Sequence, residues 1–334
     1  MDTIRADHII SLEKLSIGYQ QENVLLSDIN LSVGPGEMVA LIGRNGTGKS
    51  TLLKSMIGLM TSLEGTCHLD GRSIGQYNLP ARARLVSFVS SQISQLPSLT
   101  VGELVALGRL PYTGWMGRLN RADQQMVDQA LEEVQMGSFA SRKLDRLSDG
   151  ERQRAMIARA FVQDTRLMVL DEPTAFLDIP NTFDLIRLLS RFRDGGKSIV
   201  YSTHDLEMAM QCADKMWVIH EGRIVEGAPE DLGLSGLFDE LFQSSGIGFD
   251  EYSGRFLFNG ARKGSIRLEG KEDQAFIWTV NALGRLGFSV DSNADYQLNV
   301  EQVGTGYQWT IEREGGSVSF SNLYKLARFL TQDK

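Results

Sequence analysis

The chain has 334 residues, 34 Lys+Arg against 42 Asp+Glu and a formal charge of −8, enough for one large α/β domain plus a smaller one. An acidic balance weighs against a nucleic-acid surface, which needs a basic patch, and no apolar run approaches the roughly 20 residues that would cross a bilayer. Two cysteines, Cys67 and Cys212, have neither metal-ligand spacing nor a disulfide framework, which fits a reducing cytoplasm, and no signal-peptide core is read at Asp2, Arg5 and Asp7.

Residues 9 to 42 alternate apolar runs with turns such as Gly34-Pro35-Gly36, which predicts an antiparallel β layer leading into a strand at Met38–Ile42. That strand runs directly into Gly43, Arg44, Asn45, Gly46, Thr47, Gly48, Lys49, Ser50 and Thr51, the pattern G-x-x-x-x-G-K-[ST]. Small residues there let backbone N–H groups close around phosphate oxygens, Lys49 reaches the β- and γ-phosphates, and Ser50 ligates Mg²⁺. A helix is expected to begin behind the loop, over Thr51 to Leu59.

From about Leu96 to Ala160 the pattern is mainly helical, with an interruption at Gly108 to Arg118, rich in glycine and aromatics. Leu147-Ser148-Asp149-Gly150-Glu151-Arg152-Gln153-Arg154 then precedes an alanine-rich helix. Arg166–Leu170 is a second apolar run, suited to a strand buried on both faces, and it ends in Asp171-Glu172-Pro173. Ligands bind at the carboxyl edge of open α/β sheets, so Asp171 can hold Mg²⁺ and Glu172 can polarise an attacking water. A third run, Ser198–Tyr201, leads to Ser202-Thr203-His204-Asp205.

GRNGTGKST, LSDGERQ, VLDEP and STHD in this order resemble the ATP-binding subunit of ABC transporters, over roughly residues 9 to 255. The resemblance implies an α/β P-loop NTPase cassette with a RecA-like core, an antiparallel β subdomain and a helical subdomain. It implies ATP and Mg²⁺ as ligands, Tyr19 stacking on adenine, and Gln92 touching Mg²⁺ and the attacking water. It also implies Ser148 and Gly150 of the signature on the γ-phosphate, Asp178 in the loop across the dimer seam, and His204 as the switch histidine. Where the family signature has glycine this chain has Asp149, a carboxylate that would repel a triphosphate unless it turns away or pairs with an arginine.

The stretch Gly108-Arg109-Leu110-Pro111-Tyr112-Thr113-Gly114 is similar to the ATPases of iron-siderophore, haem and cobalamin importers, whose helical subdomain docks on the membrane permease. The expectation is a head-to-tail homodimer on the cytoplasmic face of the cell membrane, powering import of a metal chelate through separate permease subunits with an external substrate-binding protein. An ATPase for another cargo or direction, such as an exporter, and a soluble non-transport ABC protein are the alternatives; no nucleic-acid partner is expected.

Residues 1–255 are expected to form the cassette and 256–334 a small α+β domain, joined through the glycine-rich Gly246 to Gly260. Phe276, Val280 and Leu283, and later Leu323, Leu326, Ala327 and Leu330, fall at helical spacing, while Tyr296–Val300 and Tyr307–Ile311 alternate as half-buried strands. Charges from 261 to 334 cancel, nine Lys+Arg against nine Asp+Glu, so this part is neither a basic nucleic-acid arm nor an acidic tail; a regulatory or dimerising module and an inert packing appendage are the two readings.

Overall fold

The computed structural model describes residues 8–20, 23–90, 99–114, 117–175, 177–242, 247–250, 255–258, 263–313 and 316–332. They fall into two compact units, Met1–Asp231 and Leu232–Lys334.

In the first unit β1 (Ile10–Gln20) and β2 (Asn23–Val33) form an antiparallel hairpin, after which the chain enters β3 (Met38–Ile42) and α1 (Lys49–Met56). Strands β4 (Glu64–Leu69) and β5 (Arg72–Ser73) return to the hairpin and complete an antiparallel sheet of order β2-β1-β4-β5. Then come α2 (Leu79–Ala83), β6 (Val86–Val89), α3 (Val101–Ala106), α4 (Arg121–Glu133), α5 (Asp149–Val162), β7 (Leu167–Leu170) and α6 (Ile179–Asp194). The unit ends with β8 (Ser198–Thr203), α7 (Leu206–Cys212), β9 (Lys215–His220) and β10 (Arg223–Gly227).

The second sheet runs β10-β9-β3-β8-β7-β6, parallel except for the β10 edge. Every residue of β3, β7 and β8 is buried, as strands covered on both faces require. One core joins Leu15, Ile17 and Leu26 of the antiparallel layer, Leu52 and Leu53 of α1, and Val39, Val169 and Trp217 of the parallel sheet. Helix α1 is thereby fixed between the two sheets, with its N-terminus at the carboxyl end of β3. Because β3, β8 and β7 are neighbours, the segments that follow them meet at one edge.

The helical region expected between Leu96 and Ala160 is present as α3, α4 and α5, each opened by a reciprocal capping box: Thr100 with Glu103, Asn120 with Asp123, Ser148 with Glu151. The interruption at Gly108 is a packed junction. Arg109, 7% exposed, donates from Nε to Asp123 Oδ1 at 2.9 Å and from Nη1 to the Val162 carbonyl at 3.0 Å, and its guanidinium lies 4.0 Å from the Tyr112 ring centre. A Cβ at Gly108 would stand 2.2 Å from the Arg159 carbonyl oxygen, so α5 can approach here only because residue 108 has no side chain.

Helix α8 (Pro229–Leu234) spans the division, and in the second unit α9 (Leu237–Phe242) precedes an antiparallel pair, β11 (Ile247–Asp250) and β12 (Arg255–Phe258). The stretch expected to be a linker therefore holds a strand pair, and the compact division falls earlier in the chain, at Asp231/Leu232. Next come β13 (Gly264–Gly270), α10 (Gln274–Leu286), β14 (Phe288–Val290), β15 (Tyr296–Val303), β16 (Gly306–Arg313), β17 (Gly316–Phe320) and α11 (Leu323–Gln332).

Its sheet order is β14-β13-β15-β16-β17, with β13 parallel to β14 and β15 and the rest antiparallel. One face packs on the helices: Ile266, Leu298, Val300, Trp309 and Ile311 meet Ala275, Leu283, Leu326 and Leu330. The buried indole is satisfied, donating to Thr279 Oγ1 at 2.7 Å, and that hydroxyl donates on to the Ala275 carbonyl at 2.7 Å.

Candidate active site

The phosphate loop owes its shape to two left-handed glycines, Gly46 at φ 81° and Gly48 at φ 101°. Gly48 caps α1 without any side-chain hydrogen bond, so the first-turn amides of Lys49, Ser50 and Thr51 can be given to a ligand, and the helix dipole favours an anion. A Cβ at Gly46 would meet nothing within 4 Å, whereas one at Gly43 would stand 2.8 Å from Thr47 Oγ1 and 3.0 Å from Ile219 Cβ. Gly43 thus packs the loop down and Gly46 faces open space. Thr47 Oγ1 closes the turn on the Arg44 carbonyl at 2.8 Å, leaving Arg44 and Asn45 exposed.

Lys49 is folded into the loop, donating to the Gly43 carbonyl at 2.9 Å and the Arg44 carbonyl at 3.3 Å. Burial lowers the affinity of its amine for a proton, opposed by the nearby carboxylates of Glu172 and Asp171. Its Nζ is 3.7 Å from Glu172 Oε1. That same oxygen accepts a hydrogen bond from His204 Nε2 at 2.6 Å.

Asp171, 1% exposed, accepts at Oδ1 from Ser50 Oγ and from Ser202 Oγ, each at 2.9 Å. The Ser202 hydroxyl in turn accepts from the Glu172 backbone N–H at 2.8 Å. Glu172 sits at φ 50°, a left-handed conformation that costs a non-glycine residue about 1–3 kcal/mol and persists only where its surroundings enforce it. Ser202 supplies part of that enforcement: it holds the Asp171 carboxylate and the Glu172 backbone from one oxygen.

In the sequence Ser202 stands within the run Ser202-Thr203-His204-Asp205 with no role of its own. The signal for it is a serine inside a fully buried strand, whose hydroxyl must find a partner.

The other expected positions stand apart from this chain of hydrogen bonds. Tyr19, at the end of β1, is 67% exposed, so its ring is open to stacking. Ser148 is the N-cap of α5: its Oγ accepts from the Glu151 N–H at 3.3 Å and its N–H donates to Glu151 Oε2 at 2.7 Å. Gly150 lies in the first turn, where an added Cβ would meet only ordinary contacts, the nearest at 3.5 Å to Leu177. The Asp149 carboxylate is exposed and pairs with Arg152 Nη1 at 3.4 Å, the escape from repulsion that an arginine neighbour allows. Asp178 caps α6, its Oδ1 accepting from the Asn181 N–H at 3.0 Å. Gln92 lies outside the described residues.

A cleft of about 460 Å³ opens beside Glu172 and His204, bounded by Thr174, Leu177, Phe183 and Met208. The arrangement defines a phosphate-binding P-loop fold with a carboxylate pair and an imidazole beside the loop. It can receive a nucleotide triphosphate at the amides of α1, a divalent cation between Ser50 and Asp171, and a water next to Glu172.

Comparison with known proteins gives the class a name. The family described as ABC transporter matches residues 26–175, and the Iron ABC transporter C-terminal domain matches residues 263–331. The chain is 37% identical over 237 residues to the iron(3+)-hydroxamate import ATP-binding protein FhuC of Bacillus subtilis (strain 168), covering 70% of this chain and 87% of that protein. With the ferric enterobactin transport ATP-binding protein FepC of Escherichia coli (strain K12) the identity is 36% over 232 residues, covering 69% and 85%.

Among solved structures, CbiO1 of Clostridium perfringens, part of an ABC transporter complex, has 27% identity and a TM-score of 0.62, covering 72% of this chain and 96% of that one. A dimeric ATP-binding cassette bound to ADP and Pi has 26% identity and a TM-score of 0.59, covering 66% and 98%. The chain belongs to the ATP-binding subunits of ABC transporters and is an ATPase.

Proposed function

We propose that this chain powers the import of a metal chelate of the iron-siderophore, haem or cobalamin kind through separate membrane permease subunits. What carries the ATPase half of this reading is the unbroken set of contacts from Ser50 through Asp171 and Ser202 to Glu172 and His204. What supports the cargo class is similarity to import proteins for iron(3+)-hydroxamate and ferric enterobactin, together with the iron-type C-terminal domain.

In this reading the amides of residues 43–51 and Lys49 hold the phosphates of ATP while Tyr19 stacks on the base. Ser50 and Asp171 would hold Mg²⁺, whose charge favours the phosphoryl transfer by neutralising the phosphate oxygens. An incoming phosphate competes with Glu172 for Lys49 and frees the carboxylate to orient water, with His204 assisting and Gln92 assigned the same duty. Ser148 and Gly150 of a second copy, at the N-terminus of α5, would cover the γ-phosphate from the opposite side, with Asp178 at the seam.

The permease surface we assign is a groove of about 420 Å³ bordered by Leu59, Leu79, Leu107, Leu110 and Pro111 beside the Arg109 junction. Leu59, Leu79 and Leu110 are 52%, 65% and 49% exposed, which suits burial against a partner. No helix among the described residues is long and apolar enough to cross a membrane, so the pathway would lie on other chains and this one would sit peripherally at the cytoplasmic face. An external binding protein completes the proposed system, and residues 1–255 are proposed as the working cassette with 256–334 as its appended module.

The test is to purify the chain with its native membrane partner and identify the bound ligand by mass spectrometry. A metal chelate that stimulates hydrolysis is the expected result; an export substrate or an unrelated cargo overturns the reading.

A further inference from the structure

Strand β17 closes one side of the C-terminal sheet. Its inner side pairs with β16 in continuous register from Trp309↔Phe320 to Arg313↔Gly316, and among the described residues no strand lies on its outer side. Sheet edges are normally guarded by lysine, proline, a bulge or a covering element, because their free N–H and C=O groups recruit another strand. The sequence Gly316-Ser317-Val318-Ser319-Phe320 has no charge and no proline, and its register has no bulge. Val318 stands opposite Ile311 and Phe320 opposite Trp309, so both lie on the face that carries the core, yet Val318 remains 42% exposed.

We propose that β17 pairs antiparallel with β17 of a second copy of this chain, about a two-fold axis through Val318, joining the two five-stranded sheets into one. The strand is self-complementary in that register. Val318 meets the partner's Val318 on the core face. Gly316, where an added Cβ would find nothing within 4 Å, receives the ring of the partner's Phe320, an aromatic covering a strand glycine. Ser317 stands opposite the partner's Ser319 on the other face, where Ser319 already exchanges a hydroxyl contact of 2.9 Å with Thr310.

The opposite edge of the sheet, β14, has only three residues and offers a shorter pairing. A second copy is the favoured occupant for two reasons. The region from 261 to 334 carries nine charges of each sign and β17 carries none, so the two edges do not repel, and a relative's cassette is itself solved as a dimer, which would bring two C-terminal units together at high effective concentration. The pairing needs no nucleotide. Two cassettes that part after hydrolysis would therefore stay tethered, and re-closure on new ATP would be intramolecular. The inference rests on the family's dimeric assembly and goes beyond the proposed cargo and catalytic roles.

The test uses the full chain without nucleotide in sedimentation equilibrium. The wild type is expected to dimerise and Val318→Lys, at a site already exposed, to raise the dimer dissociation constant at least about tenfold while ATP affinity is unchanged. Glu172→Gln combined with Val318→Lys should still dimerise when ATP is added, which separates loss of the edge pairing from loss of the cassette interface. A monomeric wild type, or equal dimer affinity with and without the lysine, overturns the proposal. A second variant, Val318→Cys, should form an interchain disulfide on oxidation that the wild type does not, since facing Cα atoms in such a pair lie about 4.5–5.5 Å apart. A Val318→Cys dimer that cannot be cross-linked overturns it equally.

Discussion

The two units solve the problem of a sheet in opposite ways. In the cassette, β3, β7 and β8 are buried at every position, and chemistry is confined to the few residues beyond their carboxyl ends. In the C-terminal unit, β13 and β15 alternate between core and surface, and helices cover a single face. A doubly covered sheet gives a rigid frame in which a left-handed Glu172 and a buried Asp171 can be held against their own cost. The singly covered sheet has no such frame, and its five-residue β17 edge is the one proposed to associate.

The sharpest way to break this contrast is at the strand-end carboxylate. Glu172→Gln keeps shape and removes the charge proposed to orient water, so turnover should fall by about 10² or more with ATP binding retained. Single-turnover hydrolysis and nucleotide titration together check this, and near wild-type hydrolysis would remove Glu172 from its role.

Rigidity of the frame is tested at the Arg109 junction, where both partners of the ion pair are more than nine-tenths buried. Arg109→Ala strands the Asp123 carboxylate, and chemical denaturation should show the cassette losing roughly 3–5 kcal/mol. A loss below about 1 kcal/mol would mean that the junction is not a structural tie.

Ser202→Ala separates positioning from catalysis. Removing a hydrogen bond to a charged group costs about 1.5–3 kcal/mol, so kcat should drop at least about tenfold. A merely structural role would lower stability and leave kcat and its Mg²⁺ dependence in the folded fraction unmoved; Ser202→Thr should restore part of the rate.

On the other side of the comparison, Trp309→Phe loses one hydrogen bond, while the Thr279 hydroxyl keeps its acceptor at Ala275. The C-terminal unit should lose at least about 1 kcal/mol, the hydrogen bond plus the cavity left by the smaller ring, with ATP hydrolysis unchanged, as read by denaturation and phosphate release. The smallest effect is expected from truncation after residue 260: ATP affinity and basal hydrolysis should stay within about twofold, since the phosphate-contacting groups precede it. Loss of nucleotide binding in a folded truncation would place part of the C-terminal unit in the ATP site.

Much of the cassette was legible because phosphate binding is a local demand. One loop must supply consecutive amides, a lysine and a hydroxyl, so residues 43–51 announce themselves, as do carboxylates that follow a buried run. The C-terminal helices at 274–286 and 323–332 were legible from periodicity, and β15 and β16 from alternation. Strands β13, β14 and β17 were not foreseen: β14 is too short for a pattern, and Gly316 to Phe320 has too little apolar surface to reveal a partner.

The sequence by itself determined the phosphate cradle, the strand-end carboxylates, the family and the presence of a second unit, because each is written in contiguous residues or in their spacing. Only the tertiary structure decided that β8 lies between β3 and β7, which brings Ser202 to Asp171 and Glu172 across 31 and 30 residues of chain and turns a run of letters into one hydrogen-bonded site. It also decided that Arg109 is a buried tie and that β17 is an edge. The reason is physical: strand order and helix docking are settled by long-range burial, and a single position in the chain carries no record of which distant neighbour will cover it.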